Sequence, residues 1–283
     1  MAMHYVINNI IDDDSICCTS KAADDGFFDQ ENLYNKRPSK PFRFEGPGAV
    51  GNPEWICVAP VNSGDSVITF AGIFNHNLAL TAVNDELRLK GCNDPCEDPG
   101  ACDWDNPDVE IDLAPRLIEG FRNLYRELNQ DYPYWRLDVI DQNNEDGFAE
   151  IGELVLGQYS AFPAGVHVQG GQPDGPQYHA VQQETQFGQD WTSYLAESGK
   201  IGLEFMDINN PAVMNEMRLF VRAVMQNNGK FILIDDHQLK FCYYCVIKNL
   251  SDYTKRIIHN PTVGQLRSWT FDLKVLTEGV RLL

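Results

Sequence analysis

The segment QNNEDGFAEIGE, residues 142–153, carries side-chain oxygens at its first, third and fifth positions: Gln142, Asn144 and Asp146. Gly147 holds the sixth position and Glu153 the twelfth. That spacing matches a calcium-binding loop in all but the first residue, where Gln replaces Asp. Asn144, Asp146 and Glu153 are therefore the calcium candidates. A calcium loop of this kind needs a helix on each side, whereas the flanks YWRLDVI and IGELVLG alternate as strands. An Asp-Gly step between alternating apolar runs signals a hairpin, so the expectation here is a hairpin tip without a metal.

Other chemistry-bearing patterns weaken when their context is added. GPGAVG places Gly46, Gly48 and Gly51 in the dinucleotide-binding order, but Asn52-Pro53 follows where a helix should open, which leaves a surface loop. Cys92, Cys96 and Cys102 are spaced C-x3-C-x5-C in an acidic loop and lack a fourth soft ligand for zinc. Cys242 and Cys245 form a C-x-x-C inside the strand-like KFCYYCVI, where residues three apart face opposite sides. The six histidines are scattered, and neither H-E-x-x-H nor G-x-S-x-G occurs. No catalytic constellation and no cofactor are expected.

The whole chain has 283 residues, 43% hydrophobic and 22% charged, enough for two ordinary domains with real cores. Residues 1–160 hold 29 acids against 11 Lys/Arg, while residues 186–283 hold 10 against 11. Such asymmetry predicts two modules with different surfaces, and an acidic first half repels phosphate backbones, so no nucleic acid is expected as a partner. No apolar run approaches the roughly 18 residues of a membrane span, and the first residues lack a signal-peptide pattern. Eight cysteines without an export signal are expected to be thiols in a reducing cytoplasm.

In the first half, EWICVAP and SVITFAGIFNHNLAL read as a pair of strands, and DELRLKG as a third. Leu117, Phe121, Leu124 and Leu128 recur at helical spacing, with Pro115 near a first turn, and predict one inserted helix. YWRLDVID then puts Trp135, Leu137 and Val139 on one strand face, and FAEIGELVLG returns as its partner. The expected class is mainly β, α+β: an N-terminal sandwich over 1–160, an extended linker or arm over 161–185, and an α+β domain over 186–283. In that last domain a strand is followed by a helix with Asn210 as N-cap, Pro211 at the first position and Gly229 as terminator, and then by three strands. Its buried stripe is Val213, Met217, Phe220 and Val224.

The strand pair YWRLDVID and FAEIGELVLG resembles the closing strands of coagulation-factor C-type, discoidin-like domains. ENLYNKRPSKPFRF and VITFAGIFNHNLAL resemble the phage-associated version of that domain, and the likeness spans roughly residues 5–160. VAPVNSG stands where the family has D-L-G after its W-I strand, and the Cys-rich loop interrupts the ordinary core. The C-terminal part is similar in pattern to tail-tube and baseplate domains of tailed phages, with WTFDLKVLTEGV as an edge strand offered to a neighbour.

These resemblances imply a non-enzymatic virion protein of a tailed bacteriophage, made in the host cytoplasm. It would be a tail-tip, distal-tail or baseplate ring component whose partners are its own copies and other tail proteins, with no membrane partner. The alternative is a carbohydrate-binding adhesin module, with Tyr34 and Trp104 as sugar platforms. A further alternative is a metal-dependent enzyme that uses the acidic loop 94–112.

Overall fold

A computed structural model describes residues 4–11, 16–22, 27–59, 67–93, 102–117, 122–162, 167–170, 176–184, 190–208, 210–236, 241–247, 254–260 and 264–276. The chain divides into two compact units, one built mainly on Val6–Ser160 and the other on Met1–Tyr5, Ala161–Asp236 and Tyr243–Glu278. The first strand, β1 (His4–Val6), begins among residues grouped with the later unit.

Among the described residues, ten strands follow in the N-terminal unit: β2 (Ile16–Cys18), β3 (Phe42–Arg43), β4 (Glu54–Val58), β5 (Val67–Phe74), β6 (Glu86–Cys92), β7 (Val109–Asp112), β8 (Asn123–Asp131), β9 (Tyr134–Ile140), β10 (Glu150–Ile151) and β11 (Glu153–Gly157). They form an antiparallel five-stranded sheet, β2-β4-β9-β6-β7, and an antiparallel three-stranded sheet, β11-β5-β8, with β3 paired to β10 beside them. Alternation explains the layering, because successive side chains point to opposite faces. Ile56, Val58, Leu87, Leu89, Trp135, Leu137 and Val139 come from the larger sheet. They meet Ile68, Ala71, Ile73, Leu124, Leu154 and Leu156 from the smaller one in a single buried cluster. The N-terminal unit is a jelly-roll-like β-sandwich.

Three local expectations give way to this arrangement. No inserted helix forms over 117–128 among the described residues: Ala114–Arg116 is one 3-10 turn and Asn123–Asp131 is β8. Leu124 and Leu128 lie four apart, a spacing that shares a face on a strand as well as on a helix. Phe121 lies outside the described residues. The strands β4 and β5, expected as a pair, fall on opposite sheets. Residues 142–149 are likewise no hairpin tip: β9 pairs with β4 and β6, while β11 pairs with β5, so this loop crosses from one sheet to the other.

The later unit is α+β. Its strands are β12 (Tyr159–Ala161), β13 (His167–Gly170), β14 (Pro176–Glu184), β15 (Asp190–Ile208), β16 (Lys230–Asp236), β17 (Phe241–Ile247), β18 (Thr254–Asn260) and β19 (Gly264–Val275). With β1 they make a nine-stranded sheet in the order β12-β1-β16-β17-β19-β15-β13, to which β14 adds on β15 and β18 on β19. Residues 161–185, expected as a connector, therefore contribute two paired strands. The strand expected as an exposed edge, β19, is interior, with β15 on one side and β17 and β18 on the other. The hairpin strand β18 supplies the pairing that the sequence reading lacked.

Its helix α1 (Pro211–Gln226) starts as punctuated: Asn210 Oδ1 accepts from the Ala212 N–H at 2.9 Å, and Pro211 opens the first turn. Gly229 stops it at φ 78°, donating to the Val224 carbonyl at 2.8 Å. Met217, Phe220, Val221 and Val224 are buried, while Val213 is half-buried. Phe220 anchors the helix with ring contacts to Tyr5 (4.7 Å), Phe162 (5.1 Å), Phe231 (5.5 Å) and Phe271 (6.3 Å).

Candidate functional site

Strand direction brings three loops of the sandwich to one end. Phe74 ends β5 opposite Glu153, where β11 begins, and Ile140 ends β9 opposite Glu86, where β6 begins. The loops 44–53, 75–85 and 141–149 therefore share an end, away from Gly157 where β11 finishes. Hydrogen bonds weld them together. The Asp141 N–H donates to the Pro47 carbonyl at 2.7 Å, and its carboxylate accepts from the Ala79 N–H (2.9 Å), the Leu80 N–H (3.0 Å) and Asn144 Nδ2 (2.9 Å). Asn77 Nδ2 donates to Asp146 Oδ2 and to the Phe148 carbonyl, both at 3.0 Å, and Asn77 Oδ1 accepts from the Glu150 N–H at 2.7 Å.

GPGAVG is one of these loops, turned at Ala49–Asn52. Gly48 has φ 75°, and a Cβ there would come within 2.3 Å of the Val139 carbonyl. Glycine is required because the chain runs directly against the end of β9.

Beside the loops stands a stack of rings around a cation. The Arg43 guanidinium lies 3.7 Å from the Phe28 ring centroid and 3.9 Å from that of Phe148. Arg43 Nε donates to Glu150 Oε1 at 2.6 Å, across the β3–β10 pair. Phe27 meets Phe28 edge-on at 4.8 Å and is itself 57% exposed. A large aromatic face is thus presented to solvent beside the buried Phe28 and the half-buried Arg43 and Phe148. Spacing did not reveal this group, since Phe27 and Phe28 lie about 120 residues from Phe148 in the chain. The only local cue was a double aromatic, GFFD, among turn formers.

The calcium candidates are differently employed. Asn144 Oδ1 accepts from the Asp146 N–H at 3.0 Å while its amide bonds to Asp141 and to the Asn77 carbonyl. The structure brings Asn144 and Asp146 together, whereas Glu153 is buried at the start of β11. Among the described residues, no three His, Cys, Asp or Glu side chains gather so as to hold a metal. Of the acidic loop 94–112, residues 94–101 lie outside the described residues. Asp103, Asp108, Glu110 and Asp112 bond to Asn106, the Asn93 N–H, Arg88 and the Ala114 N–H respectively.

The two expected sugar platforms are not exposed faces. Trp104 is 4% exposed, packed with Cys57, Cys92 and Cys102 on the outer face of the five-stranded sheet. It accepts from Lys90 Nζ through its carbonyl at 3.1 Å, and the Arg136 guanidinium sits 5.9 Å from its ring. Tyr34 is half-buried against the sandwich core. Neither is the exposed aromatic expected near the loop end: each packs onto the sandwich.

One buried histidine adds a pH dependence. His76, at the start of the 75–85 loop, accepts from the Leu78 N–H at its Nδ1 (3.2 Å), so the ring is neutral with its proton on Nε2. Burial, and secondarily the Arg122 guanidinium, hold its pKa down at about 3. An unfolded chain binds this proton near its ordinary value of 6.5. Stability from His76 is therefore complete above about 6.5 and is lost as pH falls towards 3. His76→Asn keeps an acceptor for Leu78, and its unfolding midpoint should fall less steeply than wild type between neutral pH and pH about 4 in thermal melts.

No protein-family profile and no curated protein matches the chain. Among solved structures, a Streptococcus pneumoniae fucose binding module is similar, at 11% identity and a TM-score of 0.36 over 53% of this chain and 94% of that one. A Clostridium perfringens module in complex with GalNAc-β-1,3-galactose matches at 12% identity and a TM-score of 0.35, covering 50% of this chain and 93% of its own. The chitosan-binding module 1 of a chitosanase/glucanase from Paenibacillus sp. IK-5 gives 10%, a TM-score of 0.35, and 53% and 98% coverage.

Proposed function

We propose that this is a binding protein, not an enzyme, whose N-terminal sandwich takes a carbohydrate or similar polyhydroxylated ligand at the loop end. The observation that carries the reading is Phe27: a 57% exposed ring fixed through Phe28, Arg43 and Phe148 beside a polar rim. Sugar rings present apolar C–H faces flanked by hydroxyls, and an exposed aromatic with neighbouring acceptors and donors complements both. Asp146 and Gln142 on the 141–149 loop, both exposed, supply such groups. A glycan array followed by calorimetry on the best ligand tests the reading. Phe27→Ala should weaken binding by about tenfold or more while leaving the unfolding midpoint unchanged, since the ring is mostly outside the fold. Array silence for wild type, or full affinity in Phe27→Ala, overturns it.

A second reading, a self-assembling ring component of a tailed-phage virion, has a separate observation in its favour. Among the described residues, Asp190–Gly199 of β15 pair with β14 and not with β19, which makes a two-stranded ribbon there. Two-stranded ribbons are marginal in isolation, and a second copy would complete the pairing. Native mass and micrographs of the purified protein decide it: a ring supports it, and a stable monomer at high concentration removes it.

A further inference from the structure

We propose that Cys17 and Cys57 close a reversible disulfide that fastens the edge strand β2 onto the sandwich. The two residues are register partners in the antiparallel β2–β4 pair, so their side chains leave the same face of the sheet. Directly opposed antiparallel residues have Cα atoms roughly 4.5 to 5.5 Å apart, within the span of roughly 4.4 to 6.8 Å that a disulfide bridges. Cys57 is fully buried in the cluster with Cys92, Cys102 and Trp104, and Cys17 packs against that cluster at its half-open margin. A thiol–thiol hydrogen bond between Cys17 and Cys57, followed by burial, pushes the Cys57 thiol well above its ordinary range.

The site has something to fasten. Among the described residues, β2 is three residues long and pairs only with β4. Residues 17–57 include Phe27, Phe28, Arg43 and the 44–53 loop. A bridge closes this segment into a covalent loop and disfavours states in which β2 has peeled away.

The chemistry balances with a low-molecular-weight disulfide as oxidant. Cys17, the more accessible thiol, attacks as thiolate and displaces one thiolate from the small disulfide, forming a mixed disulfide. With Cys17 held in the mixed disulfide, its hydrogen bond to Cys57 is gone; Cys57 then loses its proton to a solvent base and attacks Cys17 Sγ, and the second small thiolate leaves and takes up a proton. Two protein thiols become one disulfide, and the small disulfide is reduced to two thiols. Reduction by excess small thiol runs the same steps backwards.

The test treats the full chain with oxidised glutathione at about pH 8, with a reduced sample alongside. Digestion under non-reducing conditions should yield a Cys17–Cys57 linked peptide lighter by two hydrogens than its separate parts. Thiol titration in denaturant should show two fewer thiols, and the unfolding midpoint should rise by about 5 °C or more. Cys17→Ser should fold with the midpoint of the reduced wild type and lose both the linked peptide and the rise. An unchanged thiol count, a glutathione adduct alone, Cys57 bridged to Cys92 or Cys102, or a Cys17–Cys57 bridge without a rise in midpoint overturns the proposal. None of these readouts depends on the ligand proposed above.

Discussion

Asp141→Ala should lower the unfolding free energy of the N-terminal sandwich by about 4 kcal/mol, measured by urea denaturation with the buried Trp135 as fluorescent reporter. The Asp141 side chain is fully buried and accepts three hydrogen bonds, from the Ala79 and Leu80 N–H groups and from Asn144. Truncation strands all three donors, and at about 1.5 kcal/mol each, the low end for a bond to a charged acceptor, the loss reaches about 4 kcal/mol. One of those donors matters twice. Leu80 is held at φ 47°, a left-handed conformation that a leucine avoids unless its surroundings enforce it. Without the carboxylate the 75–85 loop can relax, and Asn144 loses one of the bonds by which it holds the 141–149 loop. Asp141→Asn keeps the shape and one acceptor oxygen, so its loss should be roughly half as large. A change below about 1 kcal/mol in the alanine variant would show that water replaces the carboxylate. The loops would then not depend on it.

That loop junction marks the limit of what the chain discloses by itself. Alternation of apolar and polar residues made β6 and β9 legible, because the apolar side chains of each share one face and the pattern is local. The start of α1 was legible for the same reason, with Asn210, Pro211 and the first apolar positions adjacent in sequence. β8 was not. Leu124 and Leu128 fit either period, and what decides for a strand is Tyr125, stacked 5.7 Å from Phe70 on the partner strand β5. The crossover at 142–149 was hidden similarly, since two alternating runs around Asp-Gly look alike whether or not they share a sheet. The binding candidate was hardest to see. Phe27 is an ordinary turn aromatic until Phe28 beside it is stacked on Arg43, and register alone brings Arg43 against Glu150, two residues beyond Phe148. Trp104 failed in the opposite direction: a tryptophan among acids reads as exposed, yet it lies against Cys57 and Cys92 on the sheet.

The outer face of the five-stranded sheet gives the second large effect. Asp138→Ala should destabilise the sandwich by about 3 to 5 kcal/mol. Asp138 is 3% exposed and bonds to two cations, Lys90 Nζ at 2.8 Å through Oδ2 and Arg136 through Oδ1. Arg136 is also fixed by stacking, 5.1 Å from the Trp55 ring and 5.9 Å from Trp104. Neither cation can escape fully to water when the carboxylate is removed, so two largely desolvated charges remain without an anion. Most of the loss is this penalty and not the net worth of the pairs. A variant that removes all three charges together, Lys90→Met with Arg136→Met and Asp138→Leu, should therefore recover most of the stability lost by Asp138→Ala alone. Because the groups are mostly buried, raising salt should change the Asp138→Ala difference little, whereas the exposed Lys21–Asp29 pair should be screened. If the triple variant is as unstable as the single one, the ions contribute net attraction, and the outer face is held by charge instead of by the tryptophans and thiols packed around it.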